Sequence, residues 1–247
     1  HADEAYMKPY GIPTTQFAEY RDSVHGEALL ERGNRQAPAC NDCHGNHGAV
    51  PPGVASVANV CAQCHASQRD LFLRSPHKAA YEAAGFGQCT VCHGNHKIVR
   101  PSDEMVGDAT PAICAQCHTA GSPGGIAAAT MRRTLEDLKS SIAVAAGVVG
   151  RAEHLGVDMT DAKLPLADAQ TQLTLARNLV HSLSLREMQT AVASGAGLAR
   201  RAEDLGRAGL AEIGFRRRGL VAALAVIAVL LAGLWLRIRS LPRPVGR

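Results

Sequence analysis

The chain has 247 residues, a formal net charge of +4 at pH 7 and only 4% aromatic residues. Charge is unevenly distributed, because residues 1–122 carry 9 Lys and Arg against 12 Asp and Glu, whereas residues 123–247 carry 17 against 10. This division argues against one uniform globular domain, and the acidic first half excludes nucleic acid as a partner. We therefore expect several unlike segments along the chain.

The eight cysteines form four copies of the pentapeptide Cys-x-x-Cys-His, and no cysteine lies outside them. Two thiols at this spacing can bond to the vinyl groups of one porphyrin and the histidine can bind its iron, so the pattern is typical of haem c attachment. Four units predict four covalently bound haem c groups. The predicted attachment residues are Cys40, Cys43, Cys61, Cys64, Cys89, Cys92, Cys114 and Cys117, and the predicted proximal iron ligands are His44, His65, His93 and His118.

Two other uses of the cysteines fit the spacing less well. A zinc site would pair two Cys-x-x-Cys units on one metal and needs no histidine after each unit. A disulfide framework suits a small secreted domain, but it would not place all eight cysteines in identical units. Haem c is attached outside the bacterial cytoplasm, so we expect this region to be periplasmic, with a secretory leader removed before His1.

The first half of the chain is an internal duplication with an offset of about 50 residues. CNDCHGNHG in the first copy recurs as CTVCHGNHK in the second, and CAQCH occurs letter for letter in both. Two tandem dihaem modules are therefore predicted, at about 20–70 and 71–122, within a head of residues 1–122. Because this head is poor in aromatic residues, we expect loops, short helices and a core made by the porphyrins, without which the head does not fold.

Further histidines recur at corresponding places in the two copies, namely His25, His47, His77 and His96. They can give every iron a second imidazole, and such an iron has no position for a substrate. His47 and His96 each lie three residues after a proximal histidine, and three residues span at most about 11 Å, so each must serve a neighbouring haem. Which distal histidine serves which iron stays open, and Met7 and Met105 are alternative ligands.

A helix with one apolar seam is predicted after the head. Residues 121–125, GSPGG, indicate a linker, and Gly156 should end the helix. Between them apolar residues recur at steps of four and three, namely Met131, Leu135, Leu138, Ile142, Ala145, Val149 and Ala152. Such a seam is the pattern of a helix packed on a partner helix.

A second long helix is predicted to begin at Pro165. Two helices joined by a short turn should fold back on each other, so that residues 123–214 contain a linker and a long antiparallel hairpin. The histidines of this region, His154 and His181, are interpreted as surface or packing residues.

Residues 219–236 contain no charged side chain. At 1.5 Å per residue this stretch extends about 27 Å, close to the hydrocarbon thickness of a bilayer. Arginines flank both ends, and Trp235 lies where an interfacial aromatic residue is expected. We predict a transmembrane helix over 215–239 and a cytoplasmic tail over 240–247, with a buried core helix as the alternative. The protein should cross the bacterial inner membrane once, with the haem head in the periplasm.

The pentapeptides CNDCH, CAQCH, CTVCH and CAQCH, with their four proximal histidines, resemble those of the multihaem cytochrome c superfamily, more specifically the membrane-anchored tetrahaem cytochromes that pass electrons between the quinol pool and periplasmic redox proteins. The resemblance implies an electron-transfer protein and not an enzyme. In the tetrahaem quinol dehydrogenases of nitrate and nitrite respiration the anchor precedes the haems, whereas here it follows them. We therefore expect a relay beside a quinol-oxidising membrane subunit, within a larger complex.

The whole sequence predicts a mainly α fold with much loop, in which a multihaem head is followed by a hairpin and one transmembrane helix. Two other functions stay open. A reductase of a small nitrogen or sulfur oxyanion would need one haem with a free position, and a haem-based sensor would use the hairpin and span to transmit a signal. The acidic head favours a redox partner with a basic surface, by an attraction that salt weakens.

Overall fold

The computed structural model describes residues 3–46, 50–51 and 53–240, and over these residues the chain is mainly helical, without a β-strand. The α-helices in this part of the chain are α1 (Glu4–Met7), α2 (Gln16–Arg21), α3 (Val24–Gly26), α4 (Cys40–His44), α5 (Ala66–Leu73), α6 (His77–Ala84), α7 (Thr90–His93), α8 (Pro123–His154), α9 (Thr160–Leu179) and α10 (Leu185–Ser240). A π-helical turn covers Glu27–Glu31, and 3₁₀ turns cover Lys8–Tyr10, Val57–Gln63, Asp103–Met105, Cys114–Gln116 and Val180–Ser182. The predicted mainly α class is confirmed.

The chain divides into two compact units. The first consists of His1–Asp137 and Leu173–Val192, and the second of Leu138–Gln172 and Ala193–Arg247. The first unit thus combines all four cysteine motifs with the end of α9 and the beginning of α10. The sequence placed the end of the head at residue 122, whereas this unit extends further; the limits of the two haem modules stay predictions.

The motif-bearing part of the first unit has few buried apolar side chains. Among the described residues up to 122, the buried hydrophobic ones are Met7, Val60, Leu71 and Ala112. Two of its short helices end at glycines with a positive φ: α4 stops at Gly45, with φ of 70°, and α7 stops at Gly94, with φ of 74°. That conformation favours glycine, so the chain leaves the helix directly after each proximal histidine.

Helix α8 begins inside the segment that was predicted to be a linker. The Ser122 hydroxyl accepts a hydrogen bond from the N–H of Gly125 at 3.1 Å, and Pro123 occupies the first helical position. Serine before a helix and proline at its first residue are both favoured, because they leave few unpaired N–H groups there. The linker interpretation was therefore wrong for residues 123–125.

The predicted end of α8 is confirmed, and the predicted start of the next helix is wrong. Gly156 has φ of 86°, and the N–H of Val157 donates to the carbonyl of Ala152 at 3.1 Å, which is a Schellman arrangement. Helix α9 then begins at Thr160, whose N–H donates to an aspartate side chain two residues earlier at 2.9 Å. Pro165 consequently lies within the helix and does not begin it.

The second long segment is two helices, so the predicted continuous second helix is wrong, and residues 123–240 contain three α-helices. After α9 the backbone tightens into a 3₁₀ turn, and Leu183 adopts a positive φ of 54°. Helix α10 then begins, with the N–H of Glu187 donating to the hydroxyl of Ser184 at 3.3 Å. Ser-x-x-Glu is a helix-start signal, and it gives the physical reason for the interruption.

The second unit is built by close packing of these helices. A Cβ atom at Gly195 would lie 2.9 Å from Cβ of Gln172 and 3.0 Å from a methyl group of Leu138. One at Gly206 would lie 2.9 Å from a methyl group of Val148. Later residues of α10 thus meet later residues of α8, so these two helices run in the same direction. Helix α9, which connects them, runs in the opposite direction. All seven seam residues predicted on α8 are buried.

The C-terminal part of α10 is long and apolar enough to cross a membrane. Its most apolar 18-residue window has a mean hydropathy of 2.6, and none of that window is buried. A core helix of a water-soluble domain would bury such a surface, so the core-helix alternative is disfavoured. At the end of this stretch the Arg239 guanidinium lies 4.7 Å from the centre of the Trp235 ring.

Candidate functional site

Each cysteine motif forms a single helical turn. In the last three motifs the histidine N–H donates to the carbonyl of the first cysteine of the motif, at 2.9 to 3.0 Å, and the first motif is α4 itself. Residues three and four positions apart share one face of a helix. The two thiols and the imidazole of a motif therefore lie on the same side of the turn, as attachment to one macrocycle requires.

Among the described residues, histidine rings form four pairs, each containing one motif histidine and one other histidine. The ring centroids are 6.3 Å apart for His25 and His65, 5.8 Å for His44 and His96, 5.8 Å for His77 and His118, and 6.0 Å for His93 and His181. Two metal–imidazole bonds of about 2 Å each, with about 1 Å from each ring nitrogen to its centroid, add up to roughly 6 Å. Each pair therefore fits the two axial positions of one iron.

The donor set suits a metal whose other ligands come from a macrocycle. Over residues 3–46, 50–51 and 53–240 no group of three or more His, Cys, Asp or Glu side chains could hold a metal ion. A structural zinc site needs four protein ligands. Paired imidazoles beside paired thiols instead match haem c, in which the porphyrin supplies four nitrogens.

The structure places most of the predicted distal histidines beside a proximal one. His25 and His77 lie beside the last histidine of their own copy, whereas His96 lies beside His44 of the other copy. His47 lies outside the described residues, so its predicted ligand role stays a prediction. His181, interpreted from the sequence as a surface or packing residue, lies instead beside His93.

Several of these histidines are held in the neutral form. Burial lowers the pKa of His25, His77 and His93 below its usual range, and the neighbouring histidine of each pair lowers it further. Neutral imidazole is the form that binds a metal. Beside His44, the Nδ1 atom of His96 lies 3.8 Å from the Glu19 carboxylate.

The cysteine motifs are neighbours in their chain order. Burial raises the pKa of the Cys43 thiol, and nearby Cys61 raises it further. A hydrogen bond with Cys89 lowers the pKa of Cys61 to about 6. Burial also raises the pKa of Cys92, and nearby Cys114 contributes to the increase. The first motif thus adjoins the second, the second adjoins the third, and the third adjoins the fourth.

Tyr81 connects the third motif with the histidine pair of the fourth. Its ring lies 5.2 Å from that of His77 at an interplanar angle of 14°, and Phe86 meets it edge-on at 5.7 Å. Its hydroxyl lies 3.7 Å from the sulfur of Cys92. Burial raises the pKa of Tyr81, so the phenol stays protonated at neutral pH.

Gly124 at the start of α8 lies directly against the proximal histidine of the fourth motif. A Cβ atom at Gly124 would lie 2.2 Å from Nδ1 of His118, closer than any real contact allows. Gly121, only three residues earlier, has no atom within 4 Å of such a Cβ. The absence of a side chain at position 124 therefore permits the close approach of α8 to this histidine.

We expect Gly124→Ala to destabilise the protein and Gly121→Ala to leave its stability nearly unchanged. Overpacking of this kind costs about 1–3 kcal/mol, although alanine in a helix is otherwise favoured over glycine by about 1 kcal/mol. Thermal unfolding followed through haem absorbance measures the difference. Equal unfolding midpoints for the two variants would show that the contact with His118 does not affect stability.

The one-turn motifs and the imidazole pairs define a protein that binds haem c. Residues 32–119 match the family model described as Cytochrome c3, and this match supports the multihaem cytochrome c superfamily for that part of the chain. This match implies covalently bound haem c and supports electron transfer. No curated protein and no solved structure matches the chain.

Proposed function

We propose that this protein is a membrane-anchored periplasmic tetrahaem cytochrome c that relays electrons between a quinol-linked membrane partner and another redox protein. The pairing of imidazoles is the observation that carries the proposal. His44 with His96, His65 with His25, and His118 with His77 would each hold one haem iron between two imidazoles. An iron ligated on both sides exchanges electrons but has no position for a substrate, and two imidazoles favour a lower potential than a methionine ligand.

The arrangement of the cysteines supports a continuous path. Bound haem supplies a one-electron couple between ferric and ferrous iron. The chain holds each macrocycle by two cysteines, and neighbouring motifs meet through Cys43 near Cys61, Cys61 with Cys89, and Cys92 near Cys114. Haems attached at motifs that adjoin each other would accordingly lie close enough for electrons to pass between them.

The histidine pairs also support two tandem dihaem modules. His25 and His65 of the first copy correspond to His77 and His118 of the second, and each of these pairs is formed within its own copy. His96 of the second copy reaches His44 of the first. The modules would therefore share a ligand, which fixes the haems of the two copies against each other.

The membrane assignment rests on α10. Its apolar window is fully exposed, and arginines precede and follow it, as at the two surfaces of a bilayer. Haem c is attached outside the cytoplasm, so the head would be periplasmic and the C-terminus cytoplasmic, in the inner membrane of a bacterium. Because the anchor follows the haems, a separate quinol-oxidising subunit of a larger complex is the proposed donor or acceptor, and the acidic head favours a basic surface on the soluble partner.

Replacing His96 by alanine tests the relay. We expect His96→Ala to keep four attached haems and to convert one haem in four to a high-spin form that binds cyanide, because one iron loses its second imidazole. Electron paramagnetic resonance and absorbance titration with cyanide measure this change. His154→Ala is the matched control, since His154 is exposed and outside the ring pairs.

The spin state and ligand binding of the haems in the unmodified protein distinguish the relay from the other two functions. Four low-spin haems that do not bind cyanide or nitrite support the relay. A stable high-spin haem that binds nitrite in the unmodified protein would contradict it and favour the oxyanion reductase. Co-purification of a signalling protein, with no redox partner, would favour the sensor.

A further inference from the structure

We propose that His181, outside the duplicated modules, is the sixth ligand of the iron whose haem is attached at Cys89 and Cys92. The assignment rests on the proposed relay function and adds a metal-ligating residue to it. Duplication alone would point elsewhere: His96 lies beside His44, so its counterpart His47 would be expected beside His93. The structure brings a different histidine, from between α9 and α10, to that position.

The geometry of this pair matches that of the other three. The rings of His93 and His181 are 6.0 Å apart with an interplanar angle of 20°, within the range of the pairs formed inside the duplicated region. His181 Nδ1 lies 2.9 Å from the carbonyl oxygen of Asn178. A carbonyl can only accept, so Nδ1 carries the proton and Nε2 keeps the lone pair that binds a metal. A backbone carbonyl on the other ring nitrogen is the usual support of a metal-binding histidine.

The backbone around His181 departs from a helix at this place. Helix α9 ends two residues earlier, the chain forms a 3₁₀ turn over Val180–Ser182, and Leu183 takes a φ of 54°. A side chain as large as leucine rarely adopts a positive φ unless its surroundings require it. Ser182 is only 5% exposed, and its hydroxyl donates to the carbonyl of Leu179 at 2.8 Å. The turn is thus internally bonded, with Ser182 buried and His181 half-buried, and it places the His181 ring beside that of His93.

Contacts on both sides hold the turn against the motif-bearing region. The Arg177 guanidinium donates two hydrogen bonds of 2.7 Å to the Asp103 carboxylate, whose side chain is only 9% exposed. Beyond the turn, Arg74 lies 3.4 Å from the Glu187 carboxylate. Helix α5 also packs on the 3₁₀ turn. His181 is therefore fixed by contacts before and after it, as a residue that must meet a metal at a set distance requires.

This assignment gives residues 173–192 a chemical role in the first unit. They complete the coordination of one haem, so the haem-binding part of the chain does not end where the duplicated motifs end. The haem attached at Cys89 and Cys92 also differs from its counterpart in the first copy, because its second ligand comes from a helical segment that has no equivalent there.

Three single substitutions in the full-length, haem-loaded protein test the assignment. We expect His181→Ala to retain four covalent haems by mass and to convert one haem in four to a high-spin form, which added imidazole returns to low spin. His47→Ala and the control His154→Ala should keep all four haems low-spin. Electron paramagnetic resonance of the oxidised proteins, with and without imidazole, gives the readout.

A methionine at the same position provides a second measurement. His181→Met should keep all haems six-coordinate and raise the reduction potential of one haem in four, since a methionine ligand raises the potential. An unchanged spectrum in His181→Ala, or a high-spin haem in His47→Ala instead, would overturn the assignment while leaving the relay intact. A high-spin haem already present in the unmodified protein would instead count against the relay itself.

Discussion

Without haem attachment, we expect residues 3–122 to lose their folded structure while α8 to α10 remain helical. Only four hydrophobic side chains are buried among the described residues of that region. Ordering the backbone costs about 1–2 kcal/mol per residue, which so few buried side chains do not offset. Replacing all eight cysteines by alanine prevents attachment, and limited proteolysis with mass spectrometry locates the cleavage sites.

The second unit serves as an internal reference for this experiment. Leu138, Ala145 and Ala202 are at most 1% exposed, and they pack between helices without contribution from any motif cysteine. We expect cleavage throughout residues 3–122 in the cysteine-free variant, and protection of residues 138–172 in both proteins. Equal protection of the head with and without haem would contradict the view that the porphyrins form its core.

Features encoded by neighbouring residues could be predicted from the sequence. A Cys-x-x-Cys-His unit needs only one helical turn to bring its ligands to one face, so the proposed attachment residues follow from spacing alone. The seam of α8 follows from a helical period that packing preserves, and Gly156 ends the helix because it accepts a positive φ. The apolar window of α10 needs no tertiary information either.

Features created by contacts between distant residues could not be predicted in this way. His181 lies outside the duplicated modules, in a segment with a helical pattern, so nothing nearby marks it as a ligand; it becomes one by meeting His93. One local signal does mark the interruption of the helix. Ser184 followed by Glu187 is a helix-start signal, and it would have interrupted the predicted long helix next to His181. A lone histidine at such an interruption is a stronger ligand candidate than one on a continuous helix.

The end of the haem-binding region is another feature that depends on contacts between distant residues. The change in composition near residue 122 marks where the duplicated motifs end, and it led to a linker interpretation for GSPGG. Ser122 and Pro123 are, however, favourable residues at a helix start, and the following glycine is needed where α8 contacts His118. Glycine there reflects tight packing, which composition alone does not distinguish from a flexible linker.

Two arginines at the centre of the apolar window of α10 are expected to release the protein from membranes. An arginine at the centre of a transmembrane helix costs about 2.5–3.5 kcal/mol, so Ile227→Arg combined with Leu230→Arg costs roughly 5–7 kcal/mol of insertion free energy. Both side chains are at least 50% exposed, so the helical packing elsewhere should not change. Fractionation of cells into membrane and soluble pools, followed by haem staining, measures the shift.

Gly219→Arg is the matched control, because it adds the same charge beside Arg216, Arg217 and Arg218 at the edge of the window. An arginine at a helix end can extend its guanidinium to the interface, so this variant should stay in the membrane pool. If α10 instead packs against another protein in water, the double variant and Gly219→Arg should distribute alike between the membrane and soluble pools. Retention of the double variant in membranes after alkaline washing would therefore contradict a membrane span. Its release with all haems attached would show that anchoring by α10 is independent of haem binding in the first unit.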